Sequence, residues 1–230
     1  MKTTLVTNKK ETFVYKNTMA VIGVSPFNSY FSTERIENLY SWACRNFSQV
    51  RLYIPDLPTS FTLRALGYEP SKAEKKARRQ CNYLKNKIKR ALSQLDLNDD
   101  KVESLIIDHS YLDNNHSYLN YYQQLYRLFE KDKAFREGCL NSSKWVLCNQ
   151  IDDKSNLTED MLVMGAHYFM AELPMFLFAA DILQHTPSVF CYHQCPEFLR
   201  DIYRGDYDDL LSKLDGYEQY YPEQGFLIVE

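Results

Sequence analysis

The sequence predicts an α/β protein with a mostly parallel central sheet flanked by helices. Short apolar runs at about 19–25, 50–54, 102–108, 188–192 and 226–229 alternate with longer helical patterns. Strands that alternate with helices favour a parallel sheet, because each crossover helix returns the chain to the same edge. The chain has 230 residues and no Gly/Ser-rich linker, so we expect one domain over residues 1–230.

The helices follow in order, each with its own local signal. Ser32, Thr33 and Glu34 predict a helix start, since hydroxyl groups there cap free backbone amides. A long helix is predicted over about 70–95, and two more over about 114–138 and 157–184. A short strand is predicted near 145–148, and short helices precede the last strand.

The run from Met161 to Ala180 is apolar and long enough to cross a bilayer. His167, Glu172 and Pro174 interrupt it, which favours a core helix next to an active site over a membrane span. We therefore expect no membrane span.

The six cysteines are scattered, without a C-x-x-C pair or the spacing of a disulfide framework. The first residues also lack the apolar run of a secretory signal. These features favour reduced thiols and a cytoplasmic location. Cys191 and Cys195 flank His193, but no second ligand pair exists, so no metal site is predicted.

Two segments carry candidate chemistry. Ser25 follows the first predicted strand, where Gly23 leaves room beside its hydroxyl and Asn28 can hold the turn. Tyr168 and Glu172 lie four residues apart in the apolar run, so a helix brings them onto one face. A serine after a strand also serves as a cap or turn residue, and a phenol can simply satisfy a half-buried carboxylate.

A basic stretch lies inside the predicted long helix. Between Lys72 and Arg90 there are nine cationic residues and one acid, a formal charge of +8 in a chain whose net charge is −3. Such segregation favours a polyanion as partner over a merely solvated helix face, and the acidic remainder argues against general DNA binding. The cations predicted to bind RNA are Lys72, Lys75, Lys76, Arg78, Arg79, Lys87 and Arg90.

Several common site signatures are missing from the sequence. There is no GxxxxGK[ST] phosphate loop, no GxGxxG fingerprint and no G-x-S-x-G elbow. We therefore expect no cofactor. Asp108 and His109 follow a predicted strand and could be a base with its orienting acid, but a structural ion pair or a solvent-exposed turn is the favoured explanation.

At these residues the chain resembles the cyclodipeptide synthases. The segment Met19-Ala20-Val21-Ile22-Gly23-Val24-Ser25 matches a family motif except that Met19 replaces the usual His. The segment from Tyr168 to Pro174 matches a second motif, Tyr-aliphatic-x-x-Glu-x-Pro, with Phe169 as the aliphatic residue. Asn28, Tyr192 and His193 match the three residues that mark one of the two subfamilies.

The resemblance implies a Rossmann-like domain similar to the catalytic domains of class I tyrosyl- and tryptophanyl-tRNA synthetases. It implies that two aminoacyl-tRNAs are joined into a diketopiperazine through an aminoacyl-Ser25 intermediate. The resemblance also implies that four other residues take part in catalysis: Tyr168, Glu172, Tyr192 and Asn28. Family position implies that Val21, Gly23, Met175, Phe190 and His193 contact the substrate.

Two other functions stay open at this point. A serine esterase or peptidase acting on small acyl esters would need a His/Asp pair near Ser25. A non-catalytic, tRNA-binding relative of the synthetases would bind tRNA without forming an acyl-enzyme. A monomer is the default expectation.

Overall fold

A six-stranded sheet forms the centre of the molecule, in the order β1-β6-β5-β2-β3-β4. The structure is a computed structural model and describes residues 1–6, 15–151, 154–185 and 187–230. All neighbouring strands are parallel except β1, which is antiparallel to β6. The strands are β1 (Thr3–Val6), β2 (Met19–Gly23), β3 (Gln49–Tyr53), β4 (Ile106–Ile107), β5 (Ser188–Tyr192) and β6 (Gln224–Val229). The prediction of a mostly parallel α/β fold is confirmed.

Helices cover both faces of the sheet. Within the described residues they are α1 (Thr33–Asn46), α2 (Thr59–Ala65), α3 (Pro70–Ser93), α4 (Asp99–Leu105), α5 (His109–Leu112), α6 (His116–Lys131), α7 (Lys133–Leu147), α8 (Glu159–Ile182), α9 (Glu197–Arg204), α10 (Asp208–Leu211) and α11 (Tyr217–Tyr220). The predicted starts of α1 and α3 are confirmed. Ser32 caps α1 by accepting a hydrogen bond from the Arg35 amide at 3.0 Å.

Successive side chains of β2 point to opposite faces of the sheet, and both faces are buried. Val21 belongs to a hydrophobic cluster shared with α6, α7 and α8, whereas Ala20 and Ile22 belong to a second cluster shared with α1 and α3. Every residue of β2 is buried. A strand covered on both faces must be apolar throughout, which accounts for its continuous hydrophobic run.

Helix α8 passes through the interior and carries the second candidate segment. It is the one helix of the described chain that is long and apolar enough to span a membrane, but 67% of its most apolar window is buried inside the protein. It packs against α2, α6 and α7. This burial agrees with the expected core helix.

Three sequence predictions are wrong. Residues 102–105 are helical rather than extended, since Asn98 caps α4 through the Lys101 amide at 2.9 Å, and only Ile106–Ile107 pairs with the sheet. The strand predicted near 145–148 is the end of α7. The helix predicted over 114–138 is divided at Asp132, which ends α6 and caps α7.

Candidate active site

A cavity of about 650 Å³ opens at the carboxyl ends of β2 and β5. These two parallel strands are neighbours, with Ile22 paired to Cys191, so the residues that follow them meet at one edge of the sheet. Nine residues predicted from sequence lie on its wall: Gly23, Ser25, Asn28, Lys76, Tyr168, Glu172, Phe190, Tyr192 and His193. The structure thus brings both candidate segments into one cavity.

The Ser25 hydroxyl is held by the phenol at the end of β5. The hydroxyl of Tyr192 donates a hydrogen bond of 2.8 Å to Ser25 Oγ. Burial raises the pKa of Tyr192 to about 12, although its hydrogen bond to Ser25 acts in the opposite direction. The phenol is therefore a protonated donor at neutral pH, and the proton of Ser25 stays free to point at another acceptor.

Tyr168 and Glu172 occupy successive turns of α8, as their spacing predicted. The Tyr168 hydroxyl lies beside Ser25 and Glu172, and burial raises the pKa of this phenol well above its usual value. Burial raises the pKa of Glu172 to about 8, while the bond to Tyr168 partly offsets this effect. No cation of the described chain pairs with this carboxyl group, so it is held mostly neutral at pH 7 in the cavity that contains Ser25.

Asn28 connects the turn after β2 to the residues after β5. Its Oδ1 accepts a hydrogen bond from the Tyr30 amide at 3.0 Å, so its Nδ2 is the donor toward His193 Nε2 at 3.0 Å and Tyr192 at 3.4 Å. Burial, reinforced by Arg35, lowers the pKa of His193. His193 is consequently neutral near pH 7 and accepts at Nε2.

The imidazole of His193 is not arranged as a general base for Ser25. Its Nε2 is taken by Asn28, and its ring stacks on Tyr30 with centroids 4.2 Å apart. Asp108 and His109 do not supply a base either, because Asp108 pairs with Lys85 and caps α5. The His/Asp pair that a serine esterase would need is not formed by these residues.

Gly23 is needed for close packing at the end of β2. A Cβ atom at this position would lie 2.8 Å from Cε1 of Phe190 and 3.1 Å from Cδ2 of Tyr192. Both aromatic side chains line the cavity. A larger residue at position 23 would therefore displace the ring that holds Ser25.

Val21 and Met175 are placed differently from the other predicted substrate contacts. Both are completely buried in the cluster between the sheet and α8, and neither belongs to the cavity wall. Their predicted direct contact with the substrate is not seen in this geometry. Val21 pairs with Phe190 across the strands, and Met175 belongs to the same buried cluster as both.

The basic helix divides into two halves. Lys72, Lys75, Arg78 and Arg79 are exposed, and none forms an ion pair within the described residues. Lys76 lies on the cavity wall.

The second half of the basic helix is engaged with the protein itself. Lys85 pairs with Asp108, and Lys89 contacts Glu103 at 2.7 Å. Lys87, predicted to bind RNA, donates to the Phe31 carbonyl at 2.9 Å, and Arg90 donates to the Asn86 carbonyl at 3.3 Å. The first half of α3 therefore offers four exposed cations and Lys76 on the cavity wall, whereas in the second half Arg90 is the exposed cation without an ion pair among the described residues.

Part of the cavity wall is made of residues that were not predicted from the sequence. Thr59, Thr62 and Leu63 from α2 line it, as do Phe27 and Tyr68 at its mouth. Helix α2 has only seven residues, too few for a clear periodic signal. Phe27 could have been noticed, since it stands two residues after Ser25 in a turn that begins with Pro26.

The fold and the cavity together define an α/β enzyme, with a serine hydroxyl beside two phenols and a buried carboxyl at the carboxyl edge of a parallel sheet. The chain belongs to the cyclodipeptide synthase family, whose model matches residues 1–230. The relationship to tRNA synthetases predicted from sequence is supported by the structural comparisons that follow.

Three similar proteins can be aligned with more than nine-tenths of this chain. The cyclo(L-leucyl-L-leucyl) synthase of Bacillus subtilis is 29% identical over 214 residues, covering 91% of this chain and 81% of that protein. A crystal structure of a cyclodipeptide synthase from Bacillus thermoamylovorans has a TM-score of 0.83 at 30% identity and covers 100% of this chain and 95% of its own. A Mycobacterium tuberculosis protein, described as relating cyclodipeptide synthetases to type I tRNA synthetases, has a TM-score of 0.77 at 26% identity, with coverage of 98% and 91%.

Proposed function

We propose that this protein is a tRNA-dependent cyclodipeptide synthase, an aminoacyltransferase that joins two aminoacyl groups into a diketopiperazine by a ping-pong reaction through aminoacyl-Ser25. The observation that carries the proposal is the shared cavity in which Tyr192 and Tyr168 contact Ser25 while Tyr168 also contacts Glu172. A nucleophile and a cation-binding group so close together suit a substrate that has an ester at one end and an amine next to it.

In the first step, the Ser25 oxygen attacks the carbonyl of the aminoacyl-tRNA ester. The bond between that carbonyl and the ribose oxygen breaks, the aminoacyl group stays on Ser25, and the tRNA leaves with the proton that Ser25 loses. An aminoacyl ester is already activated, so no ATP is needed and positioning contributes more than a strong base.

Glu172 and Tyr168 would bind the α-ammonium group of the first aminoacyl moiety. Burial raises the pKa of Glu172, and among the described residues no cationic side chain forms an ion pair with it. An ammonium group that enters the cavity favours the ionised carboxylate, so Glu172 releases its proton as the charged pair forms. The contact fixes the amine end and thereby holds the carbonyl against Ser25.

The amine of the second aminoacyl-tRNA then attacks the carbonyl of the aminoacyl-Ser25 ester, the bond to Ser25 Oγ breaks, and the dipeptidyl group is left esterified to the second tRNA. In the ping-pong route proposed here, Ser25 Oγ next attacks that ester carbonyl, the bond to the ribose oxygen breaks, and the second tRNA leaves with the proton that Ser25 loses, so that Ser25 carries the dipeptidyl group. The terminal amine finally attacks the ester carbonyl, closes a six-membered ring and restores the Ser25 hydroxyl. Tyr192 donates toward Ser25 Oγ and is placed to return the proton, with Glu172 as a second proton carrier.

The tRNA would lie along the exposed half of α3. Phosphate contacts from Lys72, Lys75, Arg78 and Arg79 would be salt-sensitive and largely independent of sequence. Neutralising Lys75, Arg78 and Arg79 should weaken tRNA binding and flatten its dependence on salt. The same slope in the variant and the wild type would contradict this surface as the tRNA site.

The first aminoacyl side chain is proposed to be apolar, such as Leu, Met or Phe. Phe190, Phe176 and Phe226 contribute to the cavity wall and pack against one another, so that part of the wall offers no partner for a polar side chain. The Bacillus subtilis relative, named for a leucyl-leucyl product, agrees with this expectation. Expression in a bacterial host and mass spectrometry of the medium would identify the product.

The decisive test of the proposed function is to detect the acyl-enzyme by its mass. Wild-type protein incubated with charged tRNA should gain the mass of one aminoacyl group, whereas Ser25→Ala should gain none and release no cyclic product. Ser104→Ala, an exposed serine on α4, serves as the matched control and should behave as the wild type. An acyl-enzyme or cyclic product at wild-type level from Ser25→Ala would refute the proposal.

A further inference from the structure

Phe27 is an exposed aromatic residue in an unfavourable backbone conformation. Its φ is +59°, and 47% of its surface is exposed. Pro26 and Phe27 are the central residues of the turn between Ser25 and Asn28. Proline followed by positive φ is the pattern of a type II turn, where glycine is the favoured second residue. A bulky side chain is strained there, and this one gains little burial in return.

The surroundings of Phe27 are those of a binding surface. The ammonium of Lys76 lies 5.8 Å from the centroid of the Phe27 ring and 4.1 Å from that of Tyr68, and it donates to the Tyr68 hydroxyl at 2.5 Å. Tyr68 is itself 39% exposed. All three residues line the cavity that contains Ser25. Among the described residues, no aromatic ring stacks on Phe27.

An exposed ring suits a nucleotide when it lies beside an ammonium group that forms no ion pair among the described residues. Bases stack on aromatic side chains whatever their identity, and a neighbouring lysine can bind the phosphate. Ser25 and Phe27 are two residues apart, so their Cα atoms are separated by at most about 7.6 Å. In an aminoacyl-tRNA only one ribose separates the reacting ester from the terminal adenine, so a base is expected at this distance from the nucleophile.

We propose that Phe27 is a stacking platform for the 3′-terminal adenine of the aminoacyl-tRNA, with Tyr68 beside it and Lys76 on the adjoining phosphate. This inference rests on the proposed function and adds a subsite for the leaving nucleotide. It also explains why phenylalanine occupies a turn position that favours glycine: the positive φ directs the ring to the mouth of the cavity, where it meets the substrate and not the core.

Two esters of the same amino acid, one with adenine and one without it, distinguish an effect on base stacking from an effect on the acylation of Ser25. One is the 3′-aminoacyl ester of adenosine, and the other is the aminoacyl ester of glycerol, which retains a neighbouring hydroxyl but lacks the base. Leucine is the first amino acid to use. The second-order rate of Ser25 acylation is measured by intact-protein mass spectrometry for the wild type, Phe27→Gly, Phe27→Leu and Phe27→Trp.

Stacking predicts that Phe27→Gly and Phe27→Leu are acylated about tenfold more slowly by the adenosine ester and at an unchanged rate by the glycerol ester. Phe27→Trp should recover the wild-type rate. The thermal midpoint of Phe27→Gly should equal or exceed that of the wild type, because glycine accepts the positive φ. The leucine variant provides the same test with a side chain present, should the glycine variant fold poorly.

The outcomes distinguish this proposal from the function on which it rests. Equal losses with both esters, or no loss with either, would overturn the stacking platform while leaving aminoacyl-Ser25 in place. Full activity of Phe27→Leu with the adenosine ester would likewise overturn it, since an apolar contact would then be sufficient. Absence of any acyl-enzyme in the wild type, with charged tRNA as well, would instead refute the proposed function.

Discussion

Replacing Glu172 with glutamine should make the protein more stable and inactive. The pKa of the carboxyl is raised by burial to about 8 from an ordinary value of 4.5, so the folded state retains a proton that the unfolded chain releases. Between these two values the unfolded state binds fewer protons, and the stability of the wild type falls as pH rises. Below pH 4.5 both states are protonated and this penalty is absent.

The size of the effect follows from the interval between the two pKa values. At about 1.4 kcal/mol per unit, the penalty is below about 1 kcal/mol at pH 5, about 3 kcal/mol at pH 7 and approaches about 5 kcal/mol above pH 8. Glutamine has nearly the same shape and cannot ionise. The free energy of unfolding of Glu172→Gln should therefore exceed that of the wild type by an amount that grows with pH.

Urea unfolding of both proteins at pH 5, 6, 7 and 8 measures this difference. Glu159→Gln is the matched control, because Glu159 lies on the same helix but is exposed, and the stability gain that grows with pH should be specific to Glu172→Gln. Acyl-enzyme formation by Glu172→Gln should fall at least tenfold, since the amide cannot pair with an ammonium group. Parallel stability curves for Glu172→Gln and the wild type would refute the argument that Glu172 is held neutral by burial.

Three other substitutions test separate parts of the structure. Gly23→Ala should destabilise the protein by about 1–3 kcal/mol in urea and slow acylation of Ser25, because the new Cβ displaces the ring of Phe190. Lys85→Ala should lower the free energy of unfolding by about 2 kcal/mol yet leave the salt dependence of tRNA binding unchanged, since this lysine pairs with Asp108; a flatter slope would show that it also contacts RNA. Asn28→Ala should cost about 1–2 kcal/mol and slow acylation, and single-turnover mass spectrometry would show whether the acylation rate falls.

Strands β2, β3, β5 and β6 could be predicted from their short apolar runs, and the two long helices α3 and α8 could be predicted because their helical or apolar patterns extend over 24 residues each. The ends of β2 and β5 were predicted closely enough to place Ser25 and Tyr192 at the same edge of the sheet, and the structure confirms that placement. The four-residue spacing of Tyr168 and Glu172 was sufficient to place them on one helix face. Local sequence determines these features, so they could be predicted from this single sequence.

Other features were missed either because a local helix signal was outweighed by strand-like composition or because they depend on tertiary contacts that a sequence pattern does not contain. The run at 102–105 has the composition of a strand, but the cap at Asn98 and two acids in the first turn begin a helix there. Strand β1 is short and half exposed, and its pairing with the last strand of the chain gives no local signal. The contribution of α2 to the cavity, and the exclusion of Val21 and Met175 from its wall, follow from packing alone.

The uneven distribution of free charge along α3 has a consequence for turnover. A surface that binds phosphates gives the same attraction to a tRNA with its amino acid and to one that has already given it up. Under the proposed function, spent tRNA therefore competes with fresh substrate for the same helix, and only the ammonium contact at Glu172 and Tyr168 distinguishes the two. The rate at which the emptied RNA dissociates then sets a limit on how fast successive peptides can be made.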